Sequence, residues 1–307
     1  MSLELIKLTS VQLDALPREK TVFFYPVGPV EDHGPQLPMG LDLEEADRLC
    51  HLSAQHLEME LPGWVGIVMP RAPLGIDSNT TRIAVTVRAH VLRDWLVDSC
   101  ESLIRLGFYH FACFTGQLGP RQLTAIEEAG WLIAQKKGSV FARGLLKSGP
   151  RPTLISVNSG LLSPSEWLRS PIWSDPIEHG GERDVSVALA IFPKNIDPTI
   201  IQLPAIDRES SFIKRTWNRS RGKMCSYWGN PALATAERGS RYLLETVDQA
   251  FPKMRAVWEG SRPQFIFKSW YSLVPFNKSF FKSWILIFLF GFLILGWYLM
   301  GSLKFDG

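Results

Sequence analysis

Most of the chain alternates short apolar runs, rich in residues that favour strands, with longer segments whose apolar residues recur at helical spacing. The predicted strands are 22–30, 64–69, 83–87, 109–114 and 153–157. The predicted helices are 43–57, 91–106, 121–135, 185–190 and 234–250. Strands that alternate with helices of this length are typical of a mostly parallel sheet covered by helices. The pattern therefore predicts an α/β layered sandwich.

The end of the chain has a different pattern. Residues 283–303 carry no charged side chain, and Lys282 and Lys304 bound them. A helix of about 20 apolar residues covers a hydrocarbon core of roughly 30 Å, and Trp284 and Trp297 lie where interfacial aromatic residues occur. We therefore predict a single transmembrane helix at 283–303. Because more lysines precede it than follow it, we expect the preceding domain to face the cytoplasm.

These patterns divide the chain into four parts: a domain at 1–251, a juxtamembrane segment at 252–282, the transmembrane helix at 283–303 and a tail at 304–307. The juxtamembrane segment mixes aromatic and basic residues, whereas flexible linkers contain few aromatic residues. We interpret it as a segment on the membrane surface, with packing against the domain as the alternative. The amino terminus lacks the pattern of a signal peptide, so we expect a single-pass membrane protein.

Composition narrows the functional classes. The chain has 307 residues, of which 46% are hydrophobic and 11 are Trp, and this is sufficient for a sizeable core. Its net charge of +3 is small and dispersed, so nothing favours a nucleic-acid partner. The four cysteines lack CxxC spacing, which favours buried thiols in a reducing compartment.

Three candidate metal ligands follow the first predicted strand. Glu31, His33 and Asp42 lie between that strand and the next predicted helix, and open α/β sheets place their active sites at such strand ends. One imidazole and two carboxylates suit a divalent ion such as Zn, Mn or Fe. The alternative is structural, with Asp42 as the N-cap of the helix and Glu31 and His33 as ordinary polar loop residues.

The sequence around these residues is distinctive. Residues 31–42 read Glu-Asp-His-Gly-Pro-Gln-Leu-Pro-Met-Gly-Leu-Asp. Three later segments follow in order: Gly-Phe with an apolar strand at 107–119, His-Gly-Gly-Glu at 179–182 and Gly-Asn-Pro at 229–231. Together they resemble the creatininase family of metal-dependent amidohydrolases over roughly residues 5 to 250. The resemblance implies a creatininase-like layered sandwich, hydrolysis of an amide-type C–N bond and assembly as a homo-oligomer.

The resemblance also implies a set of metal ligands. His33, Asp42 and Glu182 would hold one ion, with Asp42 placed to bridge toward a second site that keeps Glu31. Gln117, however, stands where the family carries a His, and a neutral amide oxygen is a poor substitute for imidazole at a transition metal. We therefore expect one divalent ion, Zn, Mn or Fe, rather than two.

His179 is the candidate proton shuttle, because an imidazole titrates near neutral pH. The alternative is a loop His that only caps the helix beginning near Glu182. Glu178 is a candidate residue to orient His179, and Trp173 and Glu178 are candidate residues of the substrate pocket.

Two functions fit these observations. The first is a membrane-anchored, metal-dependent amidohydrolase that acts on a small molecule or a modified peptide. The second is a catalytically silent creatininase-fold scaffold or interaction module at the membrane, because Gln117 makes one metal position degenerate. The metal content of the protein distinguishes the two.

Overall fold

The computed structural model describes residues 3–76, 83–135, 152–158, 178–194, 196, 203–207, 226–261 and 281–302. Its strands are β1 (Leu3–Glu4), β2 (Thr21–Pro26), β3 (Val30–Glu31), β4 (Val65–Val68), β5 (Ala84–Val85), β6 (His110–Thr115) and β7 (Thr153–Asn158). Its α-helices are α1 (Ser10–Asp14), α2 (Leu41–Glu60), α3 (Ala89–Arg105), α4 (Pro120–Gln135), α5 (Glu182–Ile191), α6 (Ala236–Trp258) and α7 (Phe281–Ser302). Each predicted helix and strand has a counterpart here, with shifted ends.

The main sheet is parallel. Among the described residues it has five strands in the order β1-β4-β2-β6-β7, and each neighbouring pair is parallel. Every residue of the central strands β2 and β6 is buried, as expected for a parallel sheet that is covered on both faces. The predicted α/β fold with a mostly parallel sheet is therefore confirmed.

Alternate residues of β2 face two separate cores. Val22 and Phe24 point into a core that also contains residues of α2, α5 and α6. Phe23 and Tyr25 point into a core that contains residues of α3 and α4. This period of two is what a strand between two helical layers requires, so the sheet is the middle layer of a sandwich.

The predicted strand at 22–30 is two strands in the structure. After Pro26 the chain leaves the main sheet, and β3 pairs antiparallel with β5 in a separate two-stranded sheet. Pro29 has no N–H group to donate to a strand ladder, so the interruption follows from the sequence. As a result, Glu31 lies beyond the carboxyl end of β2 instead of within the main sheet.

Helix α6 extends past the predicted end of the domain. The Thr235 side chain caps its start by accepting a hydrogen bond from the Arg238 backbone N–H at 3.2 Å. The helix continues through Pro252 to Trp258, a buried residue whose ring lies 6.5 Å from that of Phe24. The first residues of the segment predicted to lie on the membrane surface therefore pack against the domain. Residues 262–280 of that segment lie outside the described residues.

Helix α7 overlaps the region predicted to cross the membrane, and its large apolar side chains that the structure describes are exposed. Within the described part of the chain, no helix is long and apolar enough to span a bilayer. The transmembrane helix predicted at 283–303 is therefore not supported.

Candidate metal centre

Three chain segments meet at the carboxyl edge of the main sheet. The first passes from β2 through β3 into α2 and contains Glu31, His33 and Asp42. The second follows β6 and contains Gln117, and the third precedes α5 and contains His179. In open α/β sheets this edge is the usual place for a functional site.

His33 is oriented by the backbone and directed at two carboxylates. Its Nδ1 lies 3.1 Å from the Glu31 backbone oxygen. Because a carbonyl oxygen only accepts, Nδ1 carries the hydrogen, and Nε2 is left for the other partners. Nε2 lies 3.3 Å from Asp42 Oδ1 and 3.9 Å from Glu31 Oε1. All three side chains are buried, so an imidazole nitrogen and two carboxylates share a site shielded from solvent.

His179 brings a second imidazole to this site. Its ring stacks on that of His33, with 4.4 Å between ring centroids, and its other neighbour is Trp228 at 5.0 Å. Its Nε2 lies 2.9 Å from the Asp32 backbone oxygen, so this nitrogen carries the hydrogen and Nδ1 keeps a lone pair. One ligand atom from each of Glu31, His33 and His179 lies within 4.8 Å of the others, a spacing at which they could hold one metal ion.

The pKa values show how much charge is concentrated here. Burial, followed by the Asp42 carboxylate, raises the pKa of Glu31 to about 8. Burial by itself would lower the pKa of His33, but Asp42 and its neighbouring carboxylates raise it to about 10. Burial and the adjacent His33 lower the pKa of His179 to about 4. The carboxylates thus favour a positive charge at the point where the imidazoles meet.

The residues at this site fit a divalent cation. Glu31 Oε2 is buried and has no hydrogen-bond partner among the described atoms, so it is an acceptor without a donor. A cation would supply that partner and would replace the proton that the raised pKa of Glu31 otherwise favours. Imidazole nitrogens with carboxylate oxygens suit Zn, Mn or Fe.

The structure answers whether Asp42 is only a helix cap. The N-cap residue of α2 is Gly40, which has no side chain to cap the helix, and Asp42 lies inside the first turn. The N-cap alternative is therefore wrong. A carboxylate in the first turn is favoured by the helix dipole, and here it is also directed at His33.

Gln117 lies beside Glu31, as the family resemblance implies. Its Nε2 donates to Glu31 Oε1 at 2.8 Å, while its Oε1 accepts from the Gly119 backbone N–H at 3.1 Å. The amide oxygen is therefore occupied, and the group facing Glu31 is an N–H donor. An amide N–H cannot ligate a metal, so this side of Glu31 offers no nitrogen ligand.

Glu182 and Glu178 have other partners. Glu182, the first residue of α5, is fully buried and forms an ion pair with Arg238. Glu178 accepts from the Asp184 backbone N–H at 2.9 Å, and burial raises its pKa well above the usual range. The group that orients His179 is the Asp32 carbonyl. Among the described residues, the group that could hold a metal ion contains His179 and does not contain Glu182. The role of Glu182 as a metal ligand stays a prediction.

Several residues at the site escape sequence reasoning. A buried polar network lies beside the centre, in which Arg183 contacts Asp184, Glu45 and Tyr242. Arg183 and Asp184 adjoin the His-Gly-Gly-Glu motif and could have been noticed, but nothing in the sequence connects them with Glu45 or Tyr242. Trp173, the candidate pocket wall, lies outside the described residues.

Residues 7–252 match the creatininase family, described as creatinine amidohydrolase. No protein of curated function matches the chain. Among solved structures, a proposed creatinine amidohydrolase from Bacteroides fragilis NCTC 9343 has 20% identity and a TM-score of 0.58, with 85% of this chain and 98% of that chain covered. A creatinine amidohydrolase (creatininase) has 18% identity and a TM-score of 0.60, with 85% and 99% covered. A structure described as creatininase with Mn has 18% identity and a TM-score of 0.59, with 84% and 99% covered.

At these identities the solved structures establish the fold and leave the activity open. The family match has a wider consequence, because it extends over most of the chain and includes all the segments that build the candidate centre. The predicted resemblance is therefore confirmed, and the protein belongs to the creatininase family.

Proposed function

We propose that this protein is a metal-dependent amidohydrolase that hydrolyses an amide-type C–N bond in a small molecule or a modified peptide. The observation that supports this most strongly is the group of buried Glu31, buried His33 and half-buried His179, with an unpartnered oxygen on Glu31 and with Asp42 against His33. Such a group is expensive to bury unless a cation completes it.

Glu31, His33 and His179 would hold the ion, with Asp42 beside them. A divalent ion bound in this way supplies a water whose pKa is lowered to about 7 and polarises the substrate carbonyl. We propose one ion, because Gln117 turns an N–H toward Glu31 where a second ion would need a ligand. The solved structure described as creatininase with Mn makes Mn one candidate.

The protein's own residues prepare the site for that chemistry. The Glu31 and Asp32 backbone carbonyls fix which nitrogen of His33 and of His179 carries a hydrogen. Nε2 of His33 and Nδ1 of His179 are thereby left as the nitrogens available to an ion. Burial of Glu31, His33 and Asp42 excludes solvent, which strengthens the electrostatic effect of each group on a substrate carbonyl.

His179 is better suited to hold an ion than to shuttle a proton. Its Nε2–H is committed to the Asp32 carbonyl, and burial together with His33 lowers its pKa to about 4. An imidazole with so low a pKa stays neutral at neutral pH and cannot store the proton that a leaving nitrogen needs. The proton-shuttle role predicted for it is thus the weaker of the two assignments.

The second candidate is a catalytically silent scaffold. The observation that favours it is the pairing of two predicted ligands with protein groups: Gln117 donates to Glu31, and Arg238 pairs with Glu182. A site in which side chains replace metal ions can keep its fold without binding any ion.

Metal analysis of the purified full-length chain tests the proposal. We expect about one Zn, Mn or Fe per chain, together with hydrolysis of at least one member of a panel of cyclic and linear amides. His33→Gln should abolish both metal binding and hydrolysis. The control His56→Gln changes a half-buried histidine on α2 and should leave metal binding and hydrolysis unchanged. Absence of metal after supplementation would instead support the scaffold.

Assembly and localisation are separate proposals. We propose a homo-oligomer, from the family resemblance, and analytical ultracentrifugation of the full-length chain tests it. The membrane localisation with a cytoplasmic domain stays a prediction, and cell fractionation of the full-length chain tests it.

A further inference from the structure

Arg183 links two segments that build the candidate metal centre, helix α2 and the loop that carries His179. Its Nη2 lies 2.6 Å from Glu45 Oε1, and its Nη1 lies 2.6 Å from Asp184 Oδ1. The same Nη2 also donates to Tyr242 Oη at 3.0 Å, and the guanidinium lies over the Tyr242 ring. All four residues are buried, so the network is closed to solvent.

One end of this network holds helix α2. Glu45 is three residues after Asp42, and residues at that spacing lie on the same face of a helix. The ion pair with Arg183 therefore fixes the turn of α2 that presents Asp42 to His33.

The other end holds the loop that carries His179. Asp184 Oδ2 accepts from the Gly180 backbone N–H at 2.7 Å, and the Gly180 carbonyl accepts from Gln36 Nε2 at 3.0 Å. Gly180 has φ +65°, and a Cβ there would lie 2.0 Å from the His33 backbone oxygen. Because Gly180 directly follows His179, these two hydrogen bonds set how closely the His179 ring can approach His33.

We propose that Arg183 is a positioning residue of the metal centre, which holds the His179 loop against the helix that carries Asp42. This inference rests on the proposed function. A buried ion pair is weak evidence for stability, since apolar residues of similar volume often replace it without loss. A network that joins the two ligand-bearing segments has a positional role that such replacements would not preserve.

The chain offers a control with the same pairing pattern, in a less buried place. Arg93 also pairs with the next residue, Asp94, at 2.7 Å and with a distant carboxylate, Glu128, at 3.2 Å. That arrangement joins α3 to α4 on the other side of the sheet. Arg93→Lys therefore reproduces the chemical change of Arg183→Lys at a place without a candidate ligand.

The test compares Arg183→Lys, Arg93→Lys and the parent full-length chain. Lysine keeps the charge, but its single ammonium group cannot reproduce the planar two-sided contact of a guanidinium. We expect Arg183→Lys to weaken Co²⁺ binding about 10- to 100-fold and to alter the visible absorption of the bound Co²⁺, because one imidazole is displaced. Arg93→Lys should bind Co²⁺ with the parent's affinity and spectrum.

Crystal structures of the metal-free variants complete the test. In Arg183→Lys the His179 ring should no longer stack on His33 at 4.4 Å, whereas in Arg93→Lys it should. If Arg183→Lys keeps the stack and the parent's Co²⁺ spectrum, the proposal is overturned. If the parent binds no Co²⁺, the proposed function fails, and the metal-free structures still decide whether Arg183 positions His179. Should Arg183→Lys not fold, the double variant Glu45→Gln with Arg183→Met is judged by the same two measurements.

Discussion

His33 and His110 are both buried histidines, and they lie near opposite ends of the strands of the main sheet. His110 begins β6 at the amino edge, beside Trp64, and burial lowers its pKa to about 4. His33 lies past the carboxyl end of β2, where Asp42 more than offsets burial and the pKa rises to about 10. Burial is common to both, so the neighbouring carboxylates make the difference. The carboxyl edge is built for positive charge, and the amino edge is not.

The largest expected effect is on metal binding. His33→Gln should abolish Zn²⁺ binding or weaken it by more than roughly 100-fold. Mutation of a residue that only hydrogen-bonds to a ligand typically weakens binding by up to about 100-fold. His110→Phe, at the other edge, should leave the Zn²⁺ dissociation constant unchanged. Isothermal titration calorimetry with both variants measures this difference. Equal loss in the two variants would mean that the two edges are not functionally distinct.

A second effect concerns acid stability. The pKa of His110 falls from 6.5 to about 4 on folding, so between these values the unfolded chain binds more protons. The stabilising effect of a neutral His110 is therefore complete above pH 6.5 and is lost as the pH falls toward 4, by about 3 kcal/mol in total. Urea unfolding of the parent and of His110→Phe from pH 7 to pH 4 should show a shallower decline in the variant. If the free energy of unfolding declines equally in the parent and in His110→Phe, His110 is not the cause of the acid destabilisation.

The smallest expected effect is a gain of metal at the carboxyl edge. Gln117→His restores a nitrogen donor beside Glu31 and should raise the metal stoichiometry from about one toward two. Gln55→His, a matched substitution on α2, should leave it unchanged. Inductively coupled plasma mass spectrometry gives the ratio. A folded Gln117→His protein that binds no more metal than the parent would support the silent scaffold.

The sequence predicts well what depends on local pattern. The continuous apolar run of β2 anticipates a strand that is covered on both faces, because the side chains of a strand point to opposite faces. The position of Gln117 beside Glu31 is anticipated by the family resemblance, because Gln117 stands where the family carries a metal-binding His.

What depends on long-range pairing is not predictable in the same way. Arg238 is far from Glu182 in sequence, and no local signal links them. The approach of His179 to His33 depends on the positive φ of Gly180, which the motif permits but does not dictate. Helix α6 passes through Pro252 because the buried Trp258 side chain packs on Phe24, and that tertiary contact outweighs the local effect of a proline.

The most direct test of a metal centre at the carboxyl edge is anomalous diffraction from crystals of the full-length protein grown with Zn²⁺. The account predicts one strong peak, within about 2.0–2.2 Å of a nitrogen of His33 and of a Glu31 carboxylate oxygen. A refined structure of protein equilibrated with Zn²⁺ that shows no peak among Glu31, His33 and His179 would contradict it.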